Sequence, residues 1–302
     1  MLRRLQENAY FWLALVVAAG WLAWQQYAPA AADALHRAGW TGAAQPAAGL
    51  GLADYRVDID ALPIAGVTAN ASGLAFNRET GTLFMVINNP PAVVELSTAG
   101  RLLRSLPATG LKDLEGIAHL EGDLFALADE RGQQIFFARI GAQHSALDVS
   151  AAPHLTLAID LAKNVGFEGL AWDRQRQRLF VVKEKSPMRV IEIAGISPVD
   201  GRLGERLDIR EWLPSAKVAA ELRDLSSLSV HEPSGHLLLL SDESKRIAEY
   251  DATGHLVGAL DLRRGAHGLA AHVRQPEGVE FDDAGNLYVV SEPNLFYRFT
   301  PR

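Results

Sequence analysis

Three glutamates, Glu115, Glu168 and Glu277, each stand directly before a glycine at the head of an apolar stretch. A second set, Glu130, Glu184 and Glu292, follows the first at intervals of fifteen, sixteen and fifteen residues. Ser226 with Glu243, and Ser72 with Asn88 or Asn89, repeat the arrangement with a serine in the leading place, and Asp113 and Asp224 lie two residues ahead of their leading positions. Carboxylates gathered in a partly dehydrated place repel one another, and they need a cation, a retained proton or basic partners. Ca²⁺ suits such a set, because it takes six to eight oxygens from carboxylates, amides and carbonyls. Magnesium demands a stricter octahedron, and zinc favours histidine, which none of these positions supplies. A purely structural use is equally open: hydrogen bonds to strand backbone, or pairing with Lys112, Lys183, Lys185, Arg223 or Arg274 nearby. On that reading Gly116, Gly169 and Gly278 mark close approach of neighbouring strands.

The elements that must position these residues are repeated. Five segments align: ASGLAFNRETGTLFMVINN from Ala71, LEGIAHLEGDLFALADE from Leu114, FEGLAWDRQRQRLFVVKEK from Phe167, LSSLSVHEPSGHLLLLSDES from Leu225, and PEGVEFDDAGNLYVVSEPN from Pro276. Each reads as a β-hairpin, two apolar strands about a polar turn. Further strand-like pairs follow, such as AVVELST with RLLRSLPA and RIAEYDA with LVGALDL, so a unit offers four strands, as a propeller blade does. The last unit ends at LFYRFT without an outer strand, and YRVDIDAL, alone before the first unit, is the natural strand to close the ring. The fold expected is an all-β propeller of five blades. Six is the alternative if Gly141 to Lys163 or Ser197 to Asp224 hides a further blade. In a blade the first strand lines the channel and the second returns beside it, so both acidic sets should ring one mouth. The serines at two leading positions favour an off-axis site over a symmetric ring.

The bulk composition agrees with a folded domain of acidic character. Hydrophobic residues make up 48% of the 302, enough for an ample core, and the net charge of -7 argues against a nucleic-acid partner. Absence of cysteine excludes disulfides, thiolate metal sites and cysteine nucleophiles. No serine-hydrolase elbow, zincin, Walker or dinucleotide motif occurs. His267 and His272 share a Gly-rich loop, where exposed histidine is the ordinary explanation.

Residues 1–28 read as a signal-anchor. Between Glu7 and Asp33 there is no charge, and Tyr10, Phe11 and Trp12 face Trp21, Trp24 and Tyr27 across an apolar run, as aromatic residues do at the two membrane interfaces. Arg3 and Arg4 before the span keep the N-terminus cytoplasmic and place the remainder outside, so the expected location is the bacterial inner membrane, single-pass, with a periplasmic domain. Cleavage after Ala30 is the alternative, and it also exports the domain. An Ala/Gly/Pro-rich tether over 29–51 then leads to the propeller, 52–302.

The motifs FEGLA, KEKSP, SDES and VSEPNLFYRF resemble the SdiA-regulated (YjiK-like) family of bacterial envelope proteins over about Tyr55 to Arg302. The resemblance implies an NHL-like propeller with an N-terminal membrane segment, and it brings no reaction. More distantly, the chain is similar to metal-dependent propeller enzymes such as phytases and lactonases. That likeness implies calcium on Glu115, Glu168 and Glu277, though the Ser72 and Ser226 blades depart from the acidic pattern. Two functions follow as expectations. The first is a module binding a small molecule or protein at the propeller face, with calcium at the mouth. The second is a calcium-dependent hydrolase of phosphoesters, esters or lactones.

Overall fold

The computed structural model describes residues 48–159, 166–185, 187–213 and 215–302. The expected membrane helix over 1–28 and most of the tether lie outside the described residues. Among the described residues, no helix is long and apolar enough to cross a membrane.

The first strand, β1 (Arg56–Pro63), is followed by blade 1, built from β2 (Ala71–Asn77), β3 (Thr82–Ile87), β4 (Ala92–Leu96) and β5 (Leu102–Thr109). Blade 2 comprises β6 (Leu114–Glu121), β7 (Leu124–Asp129), β8 (Gln134–Arg139) and, after the two-residue β9 (Leu147–Asp148), β10 (His154–Thr156). Blade 3 is β11 (Phe167–Asp173), β12 (Arg178–Lys183), β13 (Arg189–Ile196) and β14 (Leu203–Leu213). A short helix, α1 (Ser215–Glu221), leads to blade 4, β15 (Ser227–His231) to β18 (Leu256–Asp261) through β16 (His236–Ser241) and β17 (Arg246–Tyr250). Blade 5 has β19 (Pro276–Phe281), β20 (Leu287–Ser291) and β21 (Leu295–Thr300), and β1 completes it.

The ring therefore has five blades, closed as the lone early strand predicts. Arg56 pairs with Thr300 and Pro63 with Leu295, antiparallel, and Arg298 grips Asp58 across the seam. Neither stretch named for a sixth blade, 141–163 or 197–224, forms one among the described residues. One contains β9, which pairs parallel with β5 at Ala108 and Thr109, and β10; the other contains β14 and α1.

Five apolar clusters fill the five seams between blades. Ala75, Phe84 and Val93 meet Ile117, Phe125 and Phe136 between blades 1 and 2, while Leu74, Leu83 and Met85 meet Tyr288, Val290 and Phe296 where blade 5 closes on blade 1. Inner strands are therefore apolar on both faces, as in β2, which has one partly exposed residue, whereas the outer β14 is mostly exposed and charged. The inner-hairpin turns use the chemistry read from sequence. In blade 5, Asp282 Oδ1 accepts from the Ala284 and Asn286 amides while Gly285 takes φ 80°. Blade 3 forces Gln177 to φ 50° at the like place.

Candidate functional site at the acidic mouth

Each leading glutamate sits in a strand irregularity. The register of β6 with β7 slips between Leu114 and Gly116, that of β11 with β12 between Phe167 and Gly169, and that of β19 with β20 between Pro276 and Gly278. A bulge inserts an unpaired residue and re-aims its side chain; here the residues are Glu115, Glu168 and Glu277. The glycine after each exists because the next blade is close. A Cβ on Gly116 would lie 3.3 Å from Glu168 O, one on Gly169 2.9 Å from Ser227 Cα, and one on Gly278 3.0 Å from Ser72 O.

These glutamates share one cavity of about 280 Å³, lined also by Asn88, Glu184, Lys185, Asp224, Glu243 and Glu292. Asp113 and Glu130 join Glu115 at its side, and one carboxylate oxygen from each of the three lies within 4.8 Å of the others. All nine acidic residues expected from the sequence are thus at this mouth. Asp242 was missed. Strand pairing sets Ser241 level with Asp129, Lys183 and Ser291, so Asp242, and not Glu243, is the blade 4 counterpart of Glu130, Glu184 and Glu292. The interval from Ser226 to Asp242 is sixteen, as from Glu168 to Glu184, whereas Glu243 lies one residue too far.

The carboxyls divide into three environments. Glu115 is held at both oxygens, by Ser72 Oγ at 2.7 Å and Asn88 Nδ2 at 2.8 Å. Burial outweighs these bonds and, with Asp113 and Glu130 adding repulsion, pushes it up to about 7. Glu130 is likewise raised by burial, against one hydrogen bond from the Gly166 amide at 3.1 Å. Glu168 and Glu277 have no hydrogen-bond partner among the described residues. Burial and then the surrounding carboxylates lift Glu277 to about 9 and hold Glu168 well above the usual carboxylate range. On the third side Lys185 Nζ reaches Glu243 at 2.7 Å and Glu184 at 3.1 Å, and these bonds raise the lysine. Of the basic residues near in sequence, Lys185 pairs with the ring of glutamates, and the buried Lys183 donates to the Lys185 and Pro187 carbonyls.

Asp224 is more structural than ligating: it accepts from Ser241 Oγ and from the Glu243 amide at 3.1 Å. Asp113 pairs with Arg131 at 2.8 Å. The serines explain the two departing blades, since Ser72 Oγ also bonds Glu115 O at 3.0 Å and Ser226 Oγ bonds Pro276 O at 2.7 Å. Each ties its blade to the next. His267 and His272 are engaged in loop bonds, the former to Tyr55 O at 2.9 Å and the latter to the Arg264 amide at 3.2 Å.

The opposite end of the channel is filled. Arg78 bridges Glu232 and Asp283 at 3.1 Å each, Arg174 and His119 reach Glu79, and Glu280 accepts from Ser229 Oγ at 2.6 Å. The space left there is about 20 Å³, room for one water. The acidic end is the open one, a blind funnel.

Comparison with known proteins supports the same architecture. The model of the SdiA-regulated family matches residues 47–300. Among solved structures, the glutaminyl cyclase of Myxococcus xanthus is similar with a TM-score of 0.53 at 16% identity, covering 82% of this chain and 95% of that one. A luciferin-regenerating enzyme is similar with a TM-score of 0.51 at 14% identity, covering 81% and 95%. At these identities the likeness is one of fold.

Proposed function

The chain belongs to the SdiA-regulated family, and from its blind acidic funnel we propose a binding module that holds a hard divalent cation, calcium, and through it a ligand or partner. The carrying observation is the convergence of Asp113, Glu115 and Glu130 within 4.8 Å beside the unpartnered Glu168. Calcium would complete its shell with water and with ligand oxygens. The ion offsets a repulsion that Lys185 relieves on one side and that Arg131, paired with Asp113 alone, relieves only in part on the blade 2 side. We place the module at the bacterial inner membrane with the propeller in the periplasm, on the support of Arg3, Arg4 and the two aromatic groups about residues 9–27.

Calorimetric titration of the full chain with Ca²⁺ tests this reading. Binding heat and a melting temperature lowered by chelator are expected, both lost in Glu115→Gln. No heat, together with an identical melting temperature in chelator, refutes it.

A second reading, a calcium-dependent phosphoesterase, esterase or lactonase, draws on Glu277. Without an ion, burial and the surrounding carboxylates lift Glu277 to about 9, and on this reading it stays outside the cation's shell and keeps its proton, as a general acid must. Turnover of nitrophenyl phosphate, nitrophenyl acetate or a γ-lactone in Ca²⁺ distinguishes it. Activity abolished in Glu277→Gln with Ca²⁺ binding retained supports the hydrolase, and no turnover of any of the three leaves the binding module.

A further inference from the structure

Beside the funnel, on blade 4, lies a second cavity of about 340 Å³ whose walls carry three arginines against two glutamates, Glu221 and Glu243. Arg223, Arg246 and Arg263 line it, with Ser244 between them, and Glu243 is common to both cavities. The fold brings the three arginines together from three places: the residue after the α1–β15 turn begins, the first residue of β17, and the loop beyond β18.

The nearby acids are already engaged. Glu221 pairs with Arg246 at 3.2 Å, Asp261 with Arg263 at 3.3 Å, and Glu243 with Lys185 at 2.7 Å. Arg223 has no side-chain partner among the described residues, its backbone amide alone bonding Ser244 Oγ at 3.0 Å. That bond uses the serine oxygen as acceptor and leaves its proton to be donated. Arg263 is steadied by Nη2 donating to Ser244 O at 2.9 Å, which leaves its Nε edge unused. The pocket therefore offers one free guanidinium, two held ones with spare N–H groups, and a hydroxyl.

We propose that this pocket binds the phosphate group of a small phosphomonoester, with Arg223 and Arg263 as its principal ligands. Guanidinium forks match phosphate oxygens in pairs, and a phosphate brings three acceptors to meet them where a carboxylate brings two. A chain of net charge -7 with a confined basic pocket suits a small ligand and not a polyanion. The C-terminal residues of α1, Ala219 to Glu221, line the same wall, and that end of a helix opposes an anion, so the affinity expected is modest.

The site stands apart from the calcium reading, and its test is arranged accordingly. Line broadening of the ³¹P signal of inorganic phosphate, titrated with the full chain in chelator, should show binding. Arg223→Ala should weaken it roughly tenfold, and Arg223→Ala with Arg263→Ala should abolish it, while Glu277→Gln leaves it intact. Arg223 is exposed, so its variant keeps the wild-type melting temperature and isolates the contact. Glycerol phosphate binding more tightly than inorganic phosphate supports the monoester, whereas a stronger response to dihexanoyl phosphatidic acid would overturn it in favour of a lipid headgroup. No broadening, or broadening unchanged in the double variant, refutes the site. Failure of calcium to bind in the separate titration leaves this result untouched.

Discussion

Replacing Glu280 by glutamine should make the protein more stable at pH 8. Glu280 stands at the closed end of the channel, where Oε1 accepts from Ser229 Oγ at 2.6 Å and from the Phe281 amide at 2.8 Å. Burial is the chief cause that lifts it from an ordinary 4.5 to about 7, and the bonds from Ser229 and Phe281 offset only part of that. Because the folded state holds this proton more tightly than the unfolded chain does, the stabilising contribution is complete below about pH 4.5. It is lost as the pH climbs through 7. At about 1.4 kcal/mol for each pH unit between the two values, the charged form costs roughly 3 kcal/mol at pH 8. Glutamine keeps the acceptor oxygen for both donors and carries no charge, and Arg78 retains Glu232 and Asp283. Urea unfolding of both proteins at pH 5, 6, 7 and 8 should show a gap of under about 1 kcal/mol at pH 5 that widens to roughly 3 kcal/mol at pH 8. Glu115, Glu168 and Glu277 shift in the same direction, so the difference between the two proteins, and not the wild-type slope, isolates Glu280. A gap that is constant with pH, or a variant less stable at pH 8, would refute the reasoning.

Three further outcomes follow from the same geometry. Lys185→Gln removes the internal counter-ion of Glu184 and Glu243, and Ca²⁺ affinity measured by calorimetry should rise about threefold to fivefold; a fall would show that the lysine supports the site. Gly278→Ala puts a Cβ 2.6 Å from Val290 Cγ2 and 3.0 Å from Ser72 O, and should lower stability in urea by roughly 1–3 kcal/mol, with no loss expected if the seam is looser than described. Glu249, fully buried, accepts from the Leu50 amide at 2.8 Å and from His236 at 2.7 Å. Glu249→Ala should release the segment before Tyr55, read as new protease cleavage between residues 48 and 55 while the ring remains folded.

The repeats made the architecture legible because each blade writes the same hairpin, with turn residues such as Asp282 and Gly285 whose backbone needs are local. The acidic mouth was legible for the same reason, since Glu115, Glu168 and Glu277 recur at one place in that hairpin. Asp242 escaped because blade 4 places two acidic residues in succession, Asp242 and Glu243, and only the strand register shows that the first is level with Glu184. Lys185 was visible as a residue but its direction was not, for β12 ends at Lys183, whose ammonium turns back onto backbone carbonyls. The plugged end was unreadable in advance. Arg78, Arg174, Glu232 and Glu280 come from four blades and differ in type, so their mutual neutralisation exists only after the ring has formed.

The partner strands that complete blade 5 are far apart in the chain: Asp58 and Arg298, which meet across that seam, are separated by 240 residues. During synthesis β1 is made first and must wait for β21, its edge uncovered, while the intervening blades assemble from local hairpins. Ring closure is thus the most non-local pairing the chain makes, the kind whose loop-closure entropy slows folding. Until its partner arrives, the early strand is an unpaired edge on which another such edge could pair.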